Sequence, residues 1–209
     1  MDESTSGRKV VQAIVERYTR FSTYQDRGIL RVFQKGDPLP WECEFATSYA
    51  APDLFRFAFV RPHPYYPLRH IKRSLIVGCK GSSAYLKLES RGIGQLRVME
   101  DLAHAVGVAN GVTMGALYTI ARLLRPDVGG LFLDALENVM VAQSMDNGCE
   151  CYWITGRHPS GEYWEVTAER ATLLVRMLVR RGACDMSAET RNDLRVDEEI
   201  ALERFDVPG

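Results

Sequence analysis

The chain has 209 residues, 46% hydrophobic and 25% charged, and 26 Lys plus Arg against 27 Asp plus Glu leave a formal net charge of −1. This is an ordinary globular composition, and it argues against a disordered chain or a general polyanion binder. No apolar run approaches the ~18–20 residues of a membrane-spanning helix, and the length fits one domain over residues 1–209 with a core large enough to need no staples.

Met1-Asp2-Glu3-Ser4-Thr5-Ser6-Gly7 is polar and acidic, without the basic start and apolar stretch of a secretory signal. The expected location is the cytoplasm, or the periplasm or cell envelope if an export signal has been removed. Five cysteines (Cys43, Cys79, Cys149, Cys151, Cys184) are an odd number, so a complete internal disulfide framework is excluded.

The first element is a helix over Ser6–Phe21, with Val10, Val11, Ile14, Val15, Tyr18 and Phe21 at helical spacing and charged residues opposite. Alternation then predicts a strand over Tyr24–Gln34, a turn at Gly36-Asp37-Pro38 and a strand from Trp41. On that strand Trp41, Cys43, Phe45, Thr47 and Tyr49 share a face. After a break at Ala51-Pro52-Asp53, Leu54–Val60 places Phe55, Phe57 and Phe59 on one side, where they need a large apolar cover. Arg61–Pro67, with three prolines, reads as a loop. Strands over Lys72–Cys79 and Ser83–Ser90 flank a turn at Lys80-Gly81-Ser82.

From Gln95 the spacing of Leu96, Met99, Leu102, Ala103 and Val106 predicts a helix, and a second follows over Val112–Leu124, apolar nearly all round. Gly107, Gly111 and Gly115 recur at every fourth residue and suggest close helix packing, with a corner at Ala109-Asn110-Gly111. Pro126 ends the second helix, Gly129-Gly130 permits a sharp turn with positive φ, and a helical turn is expected near Leu131–Leu136. A meander closes the chain: Asn138–Ser144, Cys149–Thr155, Glu162–Thr167, Ala171–Arg180 and Ser187–Val196, then an acidic tail anchored by Phe205 and Pro208. Leu173, Val175, Met177 and Val179 share one face of the fourth of these, with Arg176, Arg180 and Arg181 on a solvated side.

The order is helix, about five strands, two or three helices, about five strands. It predicts an α+β fold: a large curved antiparallel sheet with the helices packed in its concave face. The interior of such a sheet is either packed solid or hollow.

Chemistry-bearing patterns are few. His63, His70, His104 and His158 are scattered, and Cys149-x-Cys151 fits no common zinc spacing, so no metal and no cofactor is expected. There is no Gly-x-Ser-x-Gly elbow, Asp101 and His104 read as a solvated helix face, and neither Gly-rich stretch matches a phosphate loop, so no catalytic residue is assigned. Basic residues are not interleaved with aromatics, which argues against nucleic acid as a partner.

Several pieces together resemble a known bacterial family. They are Tyr24-x-Asp26-x-Gly28; Pro52-Asp53-Leu54-Phe55-Arg56-Phe57-x-Phe59; Leu124-Arg125-Pro126-Asp127-Val128-Gly129-Gly130; Cys151-Tyr152-x-Ile154-x-Gly156; Trp164-x-Val166; and Leu173-Leu174-Val175-Arg176. In this order, over about Val10–Phe205, they resemble the uncharacterised bacterial proteins that share the lipoprotein-carrier (LolA/LolB-like) fold. Tyr85-Leu86-Lys87-Leu88 departs from a tryptophan pair common in those proteins. The resemblance implies an unclosed barrel lidded by helices, in which the space between sheet and lid takes acyl chains. It supplies no catalytic residues.

The expected function is therefore non-enzymatic binding of a lipid, a lipoprotein acyl chain or another hydrophobic ligand between sheet and lid. The expected lining is Trp41, Phe45, Phe55, Phe57 and Phe59 from the sheet and Met99, Leu102, Met114 and Leu117 from the lid. Arg69, His70 and Arg73 are the expected contacts to an anionic head group. The alternative is a protein-interaction or envelope-sensing module with a packed core and no ligand.

Overall fold

The computed structural model describes residues 3–37, 39–63, 68–130, 132–183 and 185–207, with side chains from Gly7 onward. Helix α1 (Glu3–Tyr18) leads into six strands: β1 (Thr23–Gln34), β2 (Trp41–Ala50), β3 (Leu54–Pro62), β4 (Lys72–Lys80), β5 (Ser83–Ser90) and β6 (Ile93–Met99). Helices α2 (Leu102–Thr113) and α3 (Ala116–Leu124) follow, then β7 (Glu137–Asp146), β8 (Cys149–Arg157), β9 (Tyr163–Glu169), β10 (Val175–Arg181) and β11 (Asp185–Val196). All eleven strands form one open antiparallel sheet in the order β6-β5-β4-β3-β2-β1-β11-β10-β9-β8-β7. The first and last strands thus pair at its centre, and α2 and α3 carry the chain across the concave face from one edge to the other.

Alternation decides which residues meet the helices. Cross-strand rows run Phe45–Phe59–Leu75–Leu88, Phe57–Val77–Leu86 and Tyr49–Phe55–Cys79–Ala84. Nearly all of these side chains are buried, and they share a core with Val11, Ile14 and Tyr18 of α1 and with Leu102, Val106, Leu117, Ile120 and Leu124 of the lid. The rings of Phe45, Phe57 and Phe59 stack in series, with centroids 5.9 and 6.1 Å apart. Phe55, Phe57 and Phe59 therefore face the helices, as their spacing predicts. The tail turns back along the convex face: Phe205 is fully buried, and Arg204 Nε donates to Ser48 Oγ at 3.0 Å. Pro38, Cys184 and Pro208 lie outside the described residues.

Four local expectations change. Gln95–Met99 is strand, not helix. A two-residue turn at Arg91-Gly92 folds β6 back on β5, and the helix starts only where Asp101 caps it by accepting from His104 N at 2.7 Å. The helix–helix corner lies at Met114-Gly115, both in the left-handed region, not at Ala109-Asn110-Gly111. Gly107 and Gly111 do not mediate close packing, since a Cβ at either would meet nothing within 4 Å. Finally, β3 runs on through Arg61 and Pro62, residues expected in the proline loop.

The meander differs at one strand. Leu173 takes a left-handed φ of 62°, β10 begins at Val175, and a bulge separates Val175 from Met177. The shift turns Val175, Leu178 and Arg180 inward, so Arg180 is not on a solvated face. Gly129 and Gly130 both have positive φ, 80° and 81°, as the turn after Pro126 requires.

Candidate functional site

The concave face is packed at its centre and open at one end. Phe45, Phe55, Phe57, Leu102 and Leu117 are each under 5% exposed. Beyond them, where α2 stops, lies an open hollow of about 520 Å³ between β3–β6 and Val112 of α2. Its apolar wall is Phe59, Leu75, Leu88, Ile93 and Val112; Arg61 and Arg73 stand beside it. Its volume falls in the ordinary range of small-molecule sites, ~300–1,000 Å³.

Strand alternation builds this site. The period that turns the three phenylalanines inward continues to Arg61, and Arg61 pairs in register with Arg73, which continues to Ser90 and Ile93. One row inward is Phe59–Leu75–Leu88. An apolar row thus adjoins a cationic row. Arg61 Nη1 donates to the Val112 carbonyl at 3.2 Å, which ties the last turn of α2 to β3. Burial pushes the Arg61 guanidinium below its ordinary pKa; the Cys43 sulfur opposes this shift and the Arg73 charge adds to it.

Of the expected lining residues, Phe59 and Arg73 meet in this hollow. Phe55 and Phe57 lie in the packed core, as do Leu102 at the start of α2 and Leu117 on α3. The Phe45 ring stacks against Phe57 and lies 4.7 Å from the Arg191 guanidinium. Met99 ends β6 rather than belonging to a lid helix. Met114 sits at the helix corner and lines a separate hollow of about 410 Å³ with His158, Trp164 and Arg180. Trp41 Nε1 and Arg69 Nη2 both donate to Asp37 Oδ2, at 2.7 and 2.8 Å, and the Arg69 guanidinium lies 5.1 Å from the Trp41 ring. His70 is exposed. Arg61, Leu75, Leu88, Ile93 and Val112 were missed by sequence reasoning, although period-two alternation carried past Val60 reaches Arg61.

A second feature lies beneath the lid. Asp26 accepts from Thr47 N at 3.0 Å, from Tyr24 Oη at 2.8 Å and from Arg191 Nη1. Arg191 also donates to Glu189 at 2.9 Å; Glu189 accepts from Arg180 at 2.8 Å and from Thr119 of α3 at 3.1 Å. Arg180 reaches the Met114 carbonyl at 2.8 Å. Two carboxylates and two guanidiniums thus neutralise one another under the helix corner. Burial opposes the Arg191 charge, but Asp26 and Glu189 outweigh it and hold its pKa above the usual value. The Tyr24-x-Asp26-x-Gly28 motif belongs here, since a Cβ at Gly28 would strike the Phe45 ring.

Among the described residues no cluster of His, Cys, Asp or Glu is arranged to hold a metal ion, and no helix is long and apolar enough to cross a membrane. Cys43, Cys79, Cys149 and Cys151 are free thiols, and burial pushes Cys43 up to about 12.

No protein family and no curated protein sequence matches the chain. Solved structures match along its whole length. LprF from Mycobacterium bovis aligns with 97% of this chain and 98% of its own, at 9% identity and a TM-score of 0.58. The lipoprotein LppX from Mycobacterium tuberculosis aligns over 95% and 98%, at 10% identity and a TM-score of 0.53. A LolA superfamily protein from Nitrosomonas europaea aligns over 94% and 97%, at 8% identity and a TM-score of 0.39. Identities this low speak to the fold alone. The half-barrel that the resemblance to the lipoprotein-carrier fold implies is the architecture of this chain.

Proposed function

We propose that the protein binds, without chemically altering, a hydrophobic ligand such as a lipid or a lipoprotein acyl chain, and that the chain of that ligand lies in the hollow between β3–β6 and the end of α2. The observation that carries the reading is the hollow itself: about 520 Å³ walled by Phe59, Leu75, Leu88, Ile93 and Val112, next to a core whose centre is closed. The architecture shared with the lipoprotein LppX supports it at the level of the fold. Burying a methylene contributes ~0.8 kcal/mol, so a chain of about ten carbons gains about 8 kcal/mol before the costs of association. Affinity on the micromolar scale or weaker follows.

The competing reading is a protein-interaction or envelope-sensing module. The solid packing of Phe45, Phe55 and Phe57 under the lid favours it, because most of the expected interior is filled. Titration with a fluorescent fatty acid separates the two. Saturable one-to-one binding that Leu88→Trp abolishes, with folding retained, supports the ligand reading; no saturable binding moves the assignment to the interaction module.

A further inference from the structure

We infer that the hollow selects amphiphiles whose head carries an oxyanion, a carboxylate or a phosphate, held between Arg61 and Arg73. This rests on the proposed binding of an apolar chain beside them and names the class of ligand.

The argument begins with charge balance. Three arginines buried or half-buried in the fold receive carboxylates: Arg191 has Asp26 and Glu189, Arg180 has Glu189, and Arg69 has Asp37. Among the described residues, Arg61 and Arg73 receive none. Arg61 donates to a backbone carbonyl, and Arg73 makes no hydrogen bond or ion pair with a described residue. The Nε atoms of both are buried without a partner, as are those of Arg180 and Arg191, so the difference lies in the missing carboxylates. Glu89 also lines the hollow, but it alternates with the inward Leu88 and pairs with neither arginine.

Geometry sharpens the point. Arg61 and Arg73 are directly opposite across an antiparallel pair, where like charges repel. The desolvation of Arg61 noted above adds to that cost. An oxyanion between two guanidiniums relieves both, because each planar fork offers paired N–H donors to a carboxylate or phosphate. The adjoining row of Phe59, Leu75 and Leu88 then receives the chain of the same molecule. A neutral head would leave the pair uncompensated, and a cationic head would add a third like charge.

Calorimetry on the full chain with four ligands of equal tail length tests this: dodecanoate, dodecyl phosphate, dodecanol and dodecyltrimethylammonium, below their aggregation concentrations. Wild type is compared with Arg73→Gln, which breaks no hydrogen bond or ion pair to a described residue, and near-ultraviolet circular dichroism confirms folding. The expected result is binding of at least one anion about tenfold tighter than dodecanol, an advantage that Arg73→Gln removes and added salt weakens. Preference for dodecanoate assigns a free fatty acid; preference for dodecyl phosphate assigns a phosphorylated lipid. Equal binding of anion and alcohol, or no effect of Arg73→Gln on the anion, overturns the head-group inference while leaving the apolar-ligand reading intact. Failure of all four to bind overturns both.

Discussion

Arg191 sits at the centre of the sheet with no exposed side-chain surface and two carboxylate partners. Such a network resists partial removal, since deleting one member strands the others in a dry interior. Arg191→Leu is expected to cost ~3–5 kcal/mol, a drop in melting temperature of roughly 6–20 °C for a chain this long. A melting curve within a degree or two of wild type would show that the network is not the closed unit described. Phe57 is the apolar counterpart. It is fully buried between two stacked rings, so Phe57→Ala is expected to cost ~3–5 kcal/mol, read from the urea midpoint. An unchanged midpoint would mean that the sheet and lid do not pack on this ring. Alternation made the inward direction of Phe57 legible in the sequence. The Arg191 network was not legible, because its members come from β1, β10 and β11, which only the closure of β1 against β11 brings together.

Element boundaries were legible wherever turn chemistry and period agreed, as along β2, β4 and β5. They failed between Gln95 and Gly115. Leu96, Met99, Leu102 and Val106 fit a helical period, yet the Arg91-Gly92 turn and the β5 ladder hold the first two in a strand. Leu96 and Val98 are exposed there, so no buried face opposed the wrong reading. The corner was misplaced because Gly111 looks like a break. In fact the left-handed pair is Met114-Gly115, and Gly115 is needed because a Cβ there would collide with the Arg180 guanidinium. Two substitutions test this placement. Gly107→Ala, in the open interior of α2, is expected to stabilise by ~0.5–1 kcal/mol. Gly130→Ala is expected to destabilise by more than that, because φ is 81° and a Cβ would run into the Tyr118 hydroxyl. Chemical denaturation reads both, and opposite signs to these would misplace the turns.

At the scale of the whole molecule, two runs of consecutive hairpins meet at β1 and β11, and the lid crosses between their free edges. Element order predicts one large antiparallel sheet with helices on its concave face, and the resemblance to the lipoprotein-carrier fold implies a half-barrel, but the pairing of β1 with β11 comes from the structure. Neither locates the hollow. Its position depends on where α2 stops relative to the rows beneath it, a matter of a few residues that only packing decides. Hence the expected lining spread over the whole concave face, whereas the hollow borders one end of it. The most direct test is photocrosslinking with a diazirine-tailed fatty acid followed by peptide mapping. Labels on β3 to β6 and on the last turn of α2, lost in Leu88→Trp, are the predicted result. Labels confined to the convex face around Ile29, Ala46 and Val60, where a hollow of about 470 Å³ lies, would contradict the account.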